Sequence, residues 1–309
     1  MRTLSSPDEL AELLQIDFSA EQLAAITAPL EPAVIIAGAG SGKTTVMAAR
    51  VVWLVGTGQV RPDQVLGLTF TRKAAAELSS RITSALLTAH IVGAEDVDEA
   101  GEQVVLTYDA FASRLVADHG LRVGEDGLAL MLAGAARYGV ADQVVARAPG
   151  GYPELAVRWR PAGVVERVLA LDNVLSGHLC DPHAVLGFQD RFAQQLARAP
   201  LYRGAPYKAV SQAISTLQAR AELLDLVGRY RDRKRELGVA EFGDQMALAA
   251  RLVQQVPDVG RLLRDQFRVV LLDEYQDTSS AQASLLRGLF SGDTPRQGRG
   301  HPVTAVGDP

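Results

Sequence analysis

Val34-Ile35-Ile36-Ala37-Gly38-Ala39-Gly40-Ser41-Gly42-Lys43-Thr44-Thr45 is the stretch that decides the fold. An apolar run, a glycine-rich turn ending in Lys-Thr and a helical pattern after it make the strand, loop and helix of a phosphate-binding loop. A triphosphate needs many donors converging on it, and Gly38, Gly40 and Gly42 let the backbone curl so that its N–H groups point inward. The helix N-terminus adds a partial positive charge. In this reading Ala39, Gly40, Ser41, Gly42, Lys43, Thr44 and Thr45 hold the nucleotide. Lys43 reaches the β- and γ-phosphates, the Thr44 hydroxyl takes a position on magnesium, and Thr45 mainly continues the helix.

A second segment fixes the kind of nucleotide protein. Arg268-Val269-Val270-Leu271-Leu272 is a buried-strand pattern that runs straight into Asp273-Glu274-Tyr275-Gln276-Asp277-Thr278. Acids at the C-terminal end of a parallel strand face the ligand crevice. There Asp273 holds magnesium, and Glu274 orients and deprotonates the water that attacks the γ-phosphate.

With these two motifs the order of further segments resembles the superfamily 1 helicases of the UvrD/Rep type. Phe18-Ser19-Ala20-Glu21-Gln22-Leu23-Ala24-Ala25-Ile26 resembles the family's glutamine motif, and the resemblance implies that Gln22 reads the adenine edge, favouring ATP. Leu68-Thr69-Phe70-Thr71-Arg72-Lys73-Ala74-Ala75-Ala76-Glu77-Leu78 resembles a single-strand-binding motif, with Thr69, Phe70 and Arg72 toward DNA. Thr107-Tyr108-Asp109-Ala110-Phe111 resembles the next one, which adds Thr107 and Tyr108 as DNA contacts. His301-Pro302-Val303-Thr304-Ala305-Val306-Gly307-Asp308-Pro309 looks like the opening of the motif that senses the γ-phosphate and couples it to DNA. The resemblance implies Glu274, Lys43 and Gln276 as catalytic residues and Thr44 and Asp273 as metal ligands. It also implies ATP and Mg2+ as cofactors, and single-stranded DNA and duplex to single-strand junctions as partners, with 3′ to 5′ translocation in repair or recombination.

Family members continue into a second RecA-like domain whose arginines neutralise charge on the transferring phosphoryl group. An arginine supplied in this way is worth about 10³- to 10⁵-fold in rate. The expectation is half a motor, binding nucleotide far better than it hydrolyses it. Three positions depart from the family pattern: Thr45 stands where many members carry arginine, Asp109 where histidine is common, and Glu241-Phe242-Gly243-Asp244 in place of an Asp-Phe-x-Asp helix. Together with Asp273-Glu274-Tyr275-Gln276-Asp277-Thr278-Ser279, that last variant resembles the helicase subunits of bacterial helicase-nuclease complexes, which implies a nuclease partner. A helicase-like scaffold that docks partners and binds nucleotide for regulation is the alternative from another class; intact Lys43, Asp273 and Glu274 weigh against it. A P-loop kinase or GTPase is opposed by the Asp-Glu-x-Gln-Asp run and the glutamine motif.

Length and composition, 309 residues with 48% hydrophobic and 22% charged, suffice for a real core in about two domains. The fold class expected is α/β: a RecA-like P-loop NTPase core with a parallel sheet, plus an all-helical inserted subdomain. Strands are expected at 34–37, 65–69, 104–107, 268–272 and 302–306, in core segments 1–118 and 241–309. The insertion is 119–240, with helical spacing at 127–136, 162–171 and 210–238 and turns at 149–153, 181–182 and 199–200. The polar stretch 291–300 reads as a mobile loop. The N-terminus lacks the apolar core of a signal peptide and no stretch approaches the ~18 residues of a membrane span, so a cytoplasmic protein is expected. The single Cys180 excludes an internal disulfide and is expected to be a buried or indifferent thiol. His119, His178 and His183 lack ligand spacing for zinc.

Net charge is −5, from 31 basic and 36 acidic residues, so DNA binding depends on a local basic groove with a stacking platform. Phe70, Arg72 and Lys73 supply one. Phe70 by itself reads as a core phenylalanine; the resemblance turns it into a base-stacking residue. The run Arg229-Tyr230-Arg231-Asp232-Arg233-Lys234-Arg235-Glu236 reads as a solvated helix face laced with ion pairs. Arg158-Trp159-Arg160 fits a nucleic-acid grip and a helix anchor equally.

Overall fold

The computed structural model of the chain describes residues 3–89, 91, 103–125, 127 and 129–309. They divide into two compact units, Met1–Glu125 with Ala249–Pro309, and Asp126–Leu248.

The first unit is built on a five-stranded sheet. Its strands are β1 (Ala33–Ile36), β2 (Val65–Thr69), β3 (Val104–Thr107), β8 (Val269–Leu272) and β9 (Val303–Gly307). The order is β1-β9-β8-β2-β3 and every pairing is parallel. Continuous apolar runs predicted this, because a parallel strand covered on both faces has no polar side to alternate with. Residues in β2 and β8 are buried throughout. Helices α1 (Pro7–Leu14), α2 (Ala20–Thr27), α3 (Lys43–Gly56), α4 (Arg72–Thr88), α5 (Tyr108–His119), α12 (Pro257–Gln266) and α13 (Ser280–Phe290) belong to this unit. The helix α3 buries ten residues between Val46 and Gly56.

Two of the strand-to-helix connections are short: two residues separate β2 from α4, and β3 ends on the residue that caps α5. Thr71 caps α4 by accepting from Ala74 N at 3.1 Å, and Thr107 caps α5 by accepting from Ala110 N at 3.1 Å. Such caps stabilise a helix start by about 1 kcal/mol and fix where the chain turns. All five expected strands are present, displaced by at most one residue. In the stretch 291–300, Arg264 Nη2 donates to Arg296 O at 2.5 Å, and Gly292 N to Gln297 O at 3.1 Å.

The second unit holds α6 (Ala135–Arg147), α7 (Pro153–Arg158), α8 (Pro161–Gly177), α9 (Pro182–Ala197) and α10 (Lys208–Glu236). Its core gathers Ala141, Val165, Val168, Leu169, Leu224 and Val227. Two-residue ladders accompany the helices: β4 (Leu130–Met131) runs parallel to β7 (Val239–Ala240), and β5 (Leu201–Tyr202) pairs antiparallel with β6 (Ala205–Pro206). The helical spacing expected at 127–136 is therefore corrected. Leu130 and Met131 pair with a distant segment, Gly134 at φ 57° stops α6 from extending backward, and residue 128 lies outside the described residues. Arg203 and Gly204, both at positive φ, turn the β5–β6 hairpin, although the sequence carries no Asn-Gly there to announce it.

The units divide at 125/126 and 248/249. The turn after α5 folds back, Glu125 N to Gly120 O at 3.1 Å, and the later division falls inside helix α11 (Phe242–Gln255). Cys180 is exposed.

Candidate functional site

The loop after β1 is open to solvent at Gly38, Ala39, Gly40 and Ser41. Gly40 and Gly42 both sit at φ 80°, a region that costs a side chain but not glycine. Gly42 caps α3, so Lys43, Thr44 and Thr45 form its first turn. Lys43 Nζ donates to Ala37 O at 3.1 Å and pairs with the Asp308 carboxylate. That hydrogen bond, with smaller contributions from the Glu274 and Asp273 charges, holds the ammonium above the usual lysine range against the opposing effect of burial.

Asp273 follows β8 and is 6% exposed. Burial, then the neighbouring Glu274 charge, push its carboxyl up, while the Glu274 N–H at 3.1 Å and Lys43 act the other way. The Thr69 hydroxyl, buried at the end of β2, lies beside this carboxylate but finds no partner in hydrogen-bond geometry. Glu274 is held at φ 51°, an uncommon backbone region for a non-glycine residue. Its Oε2 accepts from Gln276 Nε2 at 2.7 Å, and Gln276 Oε1 accepts from Asp308 N at 3.1 Å. A chain of contacts thus runs from Lys43 through Asp308 and Gln276 to Glu274. Gly307 makes it possible, since a Cβ there would lie 2.5 Å from Gln276 Oε1.

Gln22 reaches the same loop. Its Nε2 donates to Ser41 O at 3.1 Å, while its Oε1 accepts from Ser19 N at 2.9 Å in a capping box that starts α2. The structure therefore brings Gln22, Lys43, Asp273, Glu274 and Gln276 to one rim.

Beyond β2, Arg72 and Lys73 are exposed and Phe70 is half-buried. Phe70 packs on Tyr108 with ring centroids 4.9 Å apart. Tyr108 is 2% exposed, with its hydroxyl 3.4 Å from Asp273 O, so it backs Phe70 and connects that ring to the acidic end of β8. Thr107 is spent on capping α5. Asp109 lies in the first turn of α5, where an acid suits the helix dipole, and burial pushes its carboxyl up.

Sequence reasoning missed two participants. Asp308 carried a legible signal, an acid at the end of an apolar parallel strand, yet was read only as part of a motif. Arg81 carried none, because its place follows from how α4 packs on α3. Its Nη1 lies 3.3 Å from Thr45 Oγ1 and its Nη2 pairs with Glu77 at 2.6 Å. A guanidinium thus stands at the position where the resemblance leads one to expect an arginine.

The motif at 241–244 is spent inside the second unit: Glu241 Oε1 accepts from Tyr230 OH at 2.7 Å, and Asp244 Oδ2 from Lys234 Nζ at 2.6 Å. The run at 229–236 is only partly a solvated face. Arg229, Arg233 and Arg235 pair outward with Asp225, Glu236 and Asp232, but Tyr230 and Lys234 are buried and Arg231 turns to Asp172. Trp159 lies under Arg167, 4.1 Å from guanidinium carbon to ring centroid.

A phosphate-binding loop facing acids at the C-terminal edge of a parallel sheet defines a P-loop nucleotide-binding protein with a RecA-like core. The chain belongs to the UvrD/REP helicase N-terminal domain family, which matches residues 18–309. It is 28% identical to the ATP-dependent DNA helicase UvrD1 of Mycobacterium leprae (strain TN) over 294 residues, 93% of this chain and 32% of the relative. It is 30% identical to the ATP-dependent DNA helicase PcrA of Leuconostoc citreum over 277 residues, 89% and 31%. It is 28% identical to the ATP-dependent DNA helicase UvrD2 of Mycobacterium bovis (strain ATCC BAA-935 / AF2122/97) over 299 residues, 93% and 36%. The chain spans about a third of the length of these relatives. Among the described residues, no helix is long and apolar enough to cross a membrane.

Proposed function

We propose that this chain is the ATP- and single-strand-binding N-terminal half of an ATP-dependent DNA helicase, moving 3′ to 5′ on cytoplasmic DNA in repair or recombination. Junctions between duplex and single strand are its substrates, and the form of the 241–244 motif extends the proposal to a nuclease partner. The observation that carries it is the contact chain from Lys43 to Glu274, which joins the phosphate loop to the acids of β8 through the end of β9.

In this reading the loop N–H groups and Lys43 bind the β- and γ-phosphates, and Arg81 adds a cation beside Thr45. Gln22 reads the adenine edge after leaving Ser41, and Glu274, oriented by Gln276, takes the proton of the attacking water. Magnesium fits the donor set: Thr44 and Asp273 supply hard oxygens, and a dication reverses the unfavourable burial of the Asp273 carboxylate. It would neutralise charge on the phosphate oxygens. The family resemblance assigns the arginines that complete the transition-state charge to a second RecA-like domain.

Lys43 must leave Asp308 to meet a phosphate. Asp308→Asn is therefore expected to tighten Mg-ATP binding, by no more than about fivefold because a partly exposed pair is worth about 0.2–1 kcal/mol. Titration with a fluorescent ATP analogue reads it, and weaker binding would show that Asp308 assists the nucleotide instead of competing with it.

On the DNA side, Phe70 offers a half-buried ring backed by Tyr108, with Arg72 and Lys73 beside it for phosphates. Phe70→Ala is expected to weaken single-strand affinity by about 1–3 kcal/mol, the usual cost of losing a stacked base. A change in thermal stability with unchanged DNA affinity would assign Phe70 to the core alone.

A further inference from the structure

Arg50 lies two turns into α3 and is 1% exposed. Its Nη1 donates to the carbonyls of Ala25, Ile26 and Ala28 at 3.2, 3.1 and 2.8 Å, and its Nη2 to Pro29 O at 3.1 Å. Nε finds no partner, and among the described residues no carboxylate pairs with the guanidinium. Burying a cation without an acid is costly, and an apolar side chain would fill the same space without that cost. What the guanidinium adds is a planar fork of fixed geometry. All four acceptors come from one five-residue stretch at the C-terminal end of α2, where the helix dipole is negative.

The helix α2 has eight residues, too few to hold its place unaided, so its position depends on what it is tied to. Arg50 ties its C-terminal end. At its N-terminal end Gln22 touches Ser41 of the phosphate loop. On α3, Arg50 stands seven residues from Lys43, about 10.5 Å at 1.5 Å per residue. One guanidinium thus links the rod that carries Gln22 to the rod that begins with the phosphate-binding lysine.

We propose that Arg50 is a positioning residue for base selection, setting the distance between Gln22 and the phosphate loop. The proposal rests on the reading of Gln22 given above. A carboxamide complements adenine, which offers a donor at N6 and an acceptor at N7, whereas guanine offers acceptors at both O6 and N7. That discrimination survives only while Gln22 stands at one distance from the bound phosphates. Phosphate binding, made by the loop and α3 alone, does not depend on it.

The test measures equilibrium binding of Mg-ATP, Mg-GTP and inorganic tripolyphosphate to the full-length protein, to Arg50→Lys and Arg50→Gln, and to Gln22→Ala. Arg50→Lys keeps the charge and loses the fork. It is expected to weaken ATP about tenfold, as for one lost hydrogen bond to the base, and to bring ATP and GTP together. Tripolyphosphate affinity stays within about twofold. A parallel fall for all three ligands, or no change, overturns the proposal. If Gln22→Ala loses the ATP preference while both Arg50 variants keep it, the assignment of Arg50 alone fails. If Gln22→Ala keeps the preference, the reading of Gln22 fails and Arg50 falls with it. Should the Arg50 variants not fold, hydrogen exchange in the unmutated protein decides. ATP, but not tripolyphosphate, is expected to protect 20–29 together with α3; protection of α3 with 20–29 unchanged overturns the proposal.

Discussion

Glu274→Gln is expected to leave Mg-ATP affinity nearly unchanged while lowering turnover of the full-length protein about 10²- to 10⁴-fold, the range for a lost general base. The substitution keeps the shape of the side chain and its place beside Gln276. In the proposed reading, phosphate binding belongs to Lys43 and the loop, which Glu274 does not touch directly. Its charge pushes the buried Asp273 carboxyl up, so removing that charge eases ionisation of Asp273, the proposed metal ligand. Single-turnover hydrolysis beside equilibrium nucleotide binding separates the two effects. Turnover equal to the unmutated protein would reject Glu274 as the base, whatever the binding result.

Lys234→Ala is expected to destabilise the second unit by about 3–5 kcal/mol, the usual cost of removing one partner from a buried ion pair. The ammonium is 3% exposed and bridges Asp172, 1% exposed, at 2.8 Å and Asp244 at 2.6 Å. Burial pushes the Lys234 pKa down, but the two carboxylates more than reverse this and hold it above the usual value. Alanine would leave Asp172 buried with Arg231 as its remaining partner, at 2.5 Å, which places the cost toward the lower end of the range. Urea unfolding followed by a probe in this unit measures it. A loss below about 1 kcal/mol would mean that water or Arg231 compensates fully.

How much of this was legible depended on the range of the interaction concerned. The sheet was readable because each buried parallel strand is an uninterrupted apolar run and each crossover a helical pattern. The phosphate loop and the acids after β8 were readable because their chemistry is written in consecutive residues. Lys234 was not, because a helix whose last eight residues carry seven charges gives no local hint of which cation turns inward. The β4–β7 ladder was hidden for a similar reason, since two-residue strands are too short for any period and exist only through their distant partner. Arg50 reaches from α3 to the end of α2, and Arg81 from α4 to the start of α3, contacts that no spacing within one helix records. Tyr108, read from the family motif as a DNA contact, is buried behind Phe70.

We expect this chain to bind nucleotide through Lys43 and to turn it over slowly, because Glu274 acts together with the arginines that the family resemblance assigns to a second RecA-like domain. Titrating the chain with Mg-ATP and a labelled single strand, beside Lys43→Ala, and following binding and turnover in the same sample tests that claim most directly. The account predicts nucleotide binding that Lys43→Ala abolishes, with turnover near background whether or not DNA is present. Brisk DNA-stimulated hydrolysis by the chain alone would contradict it.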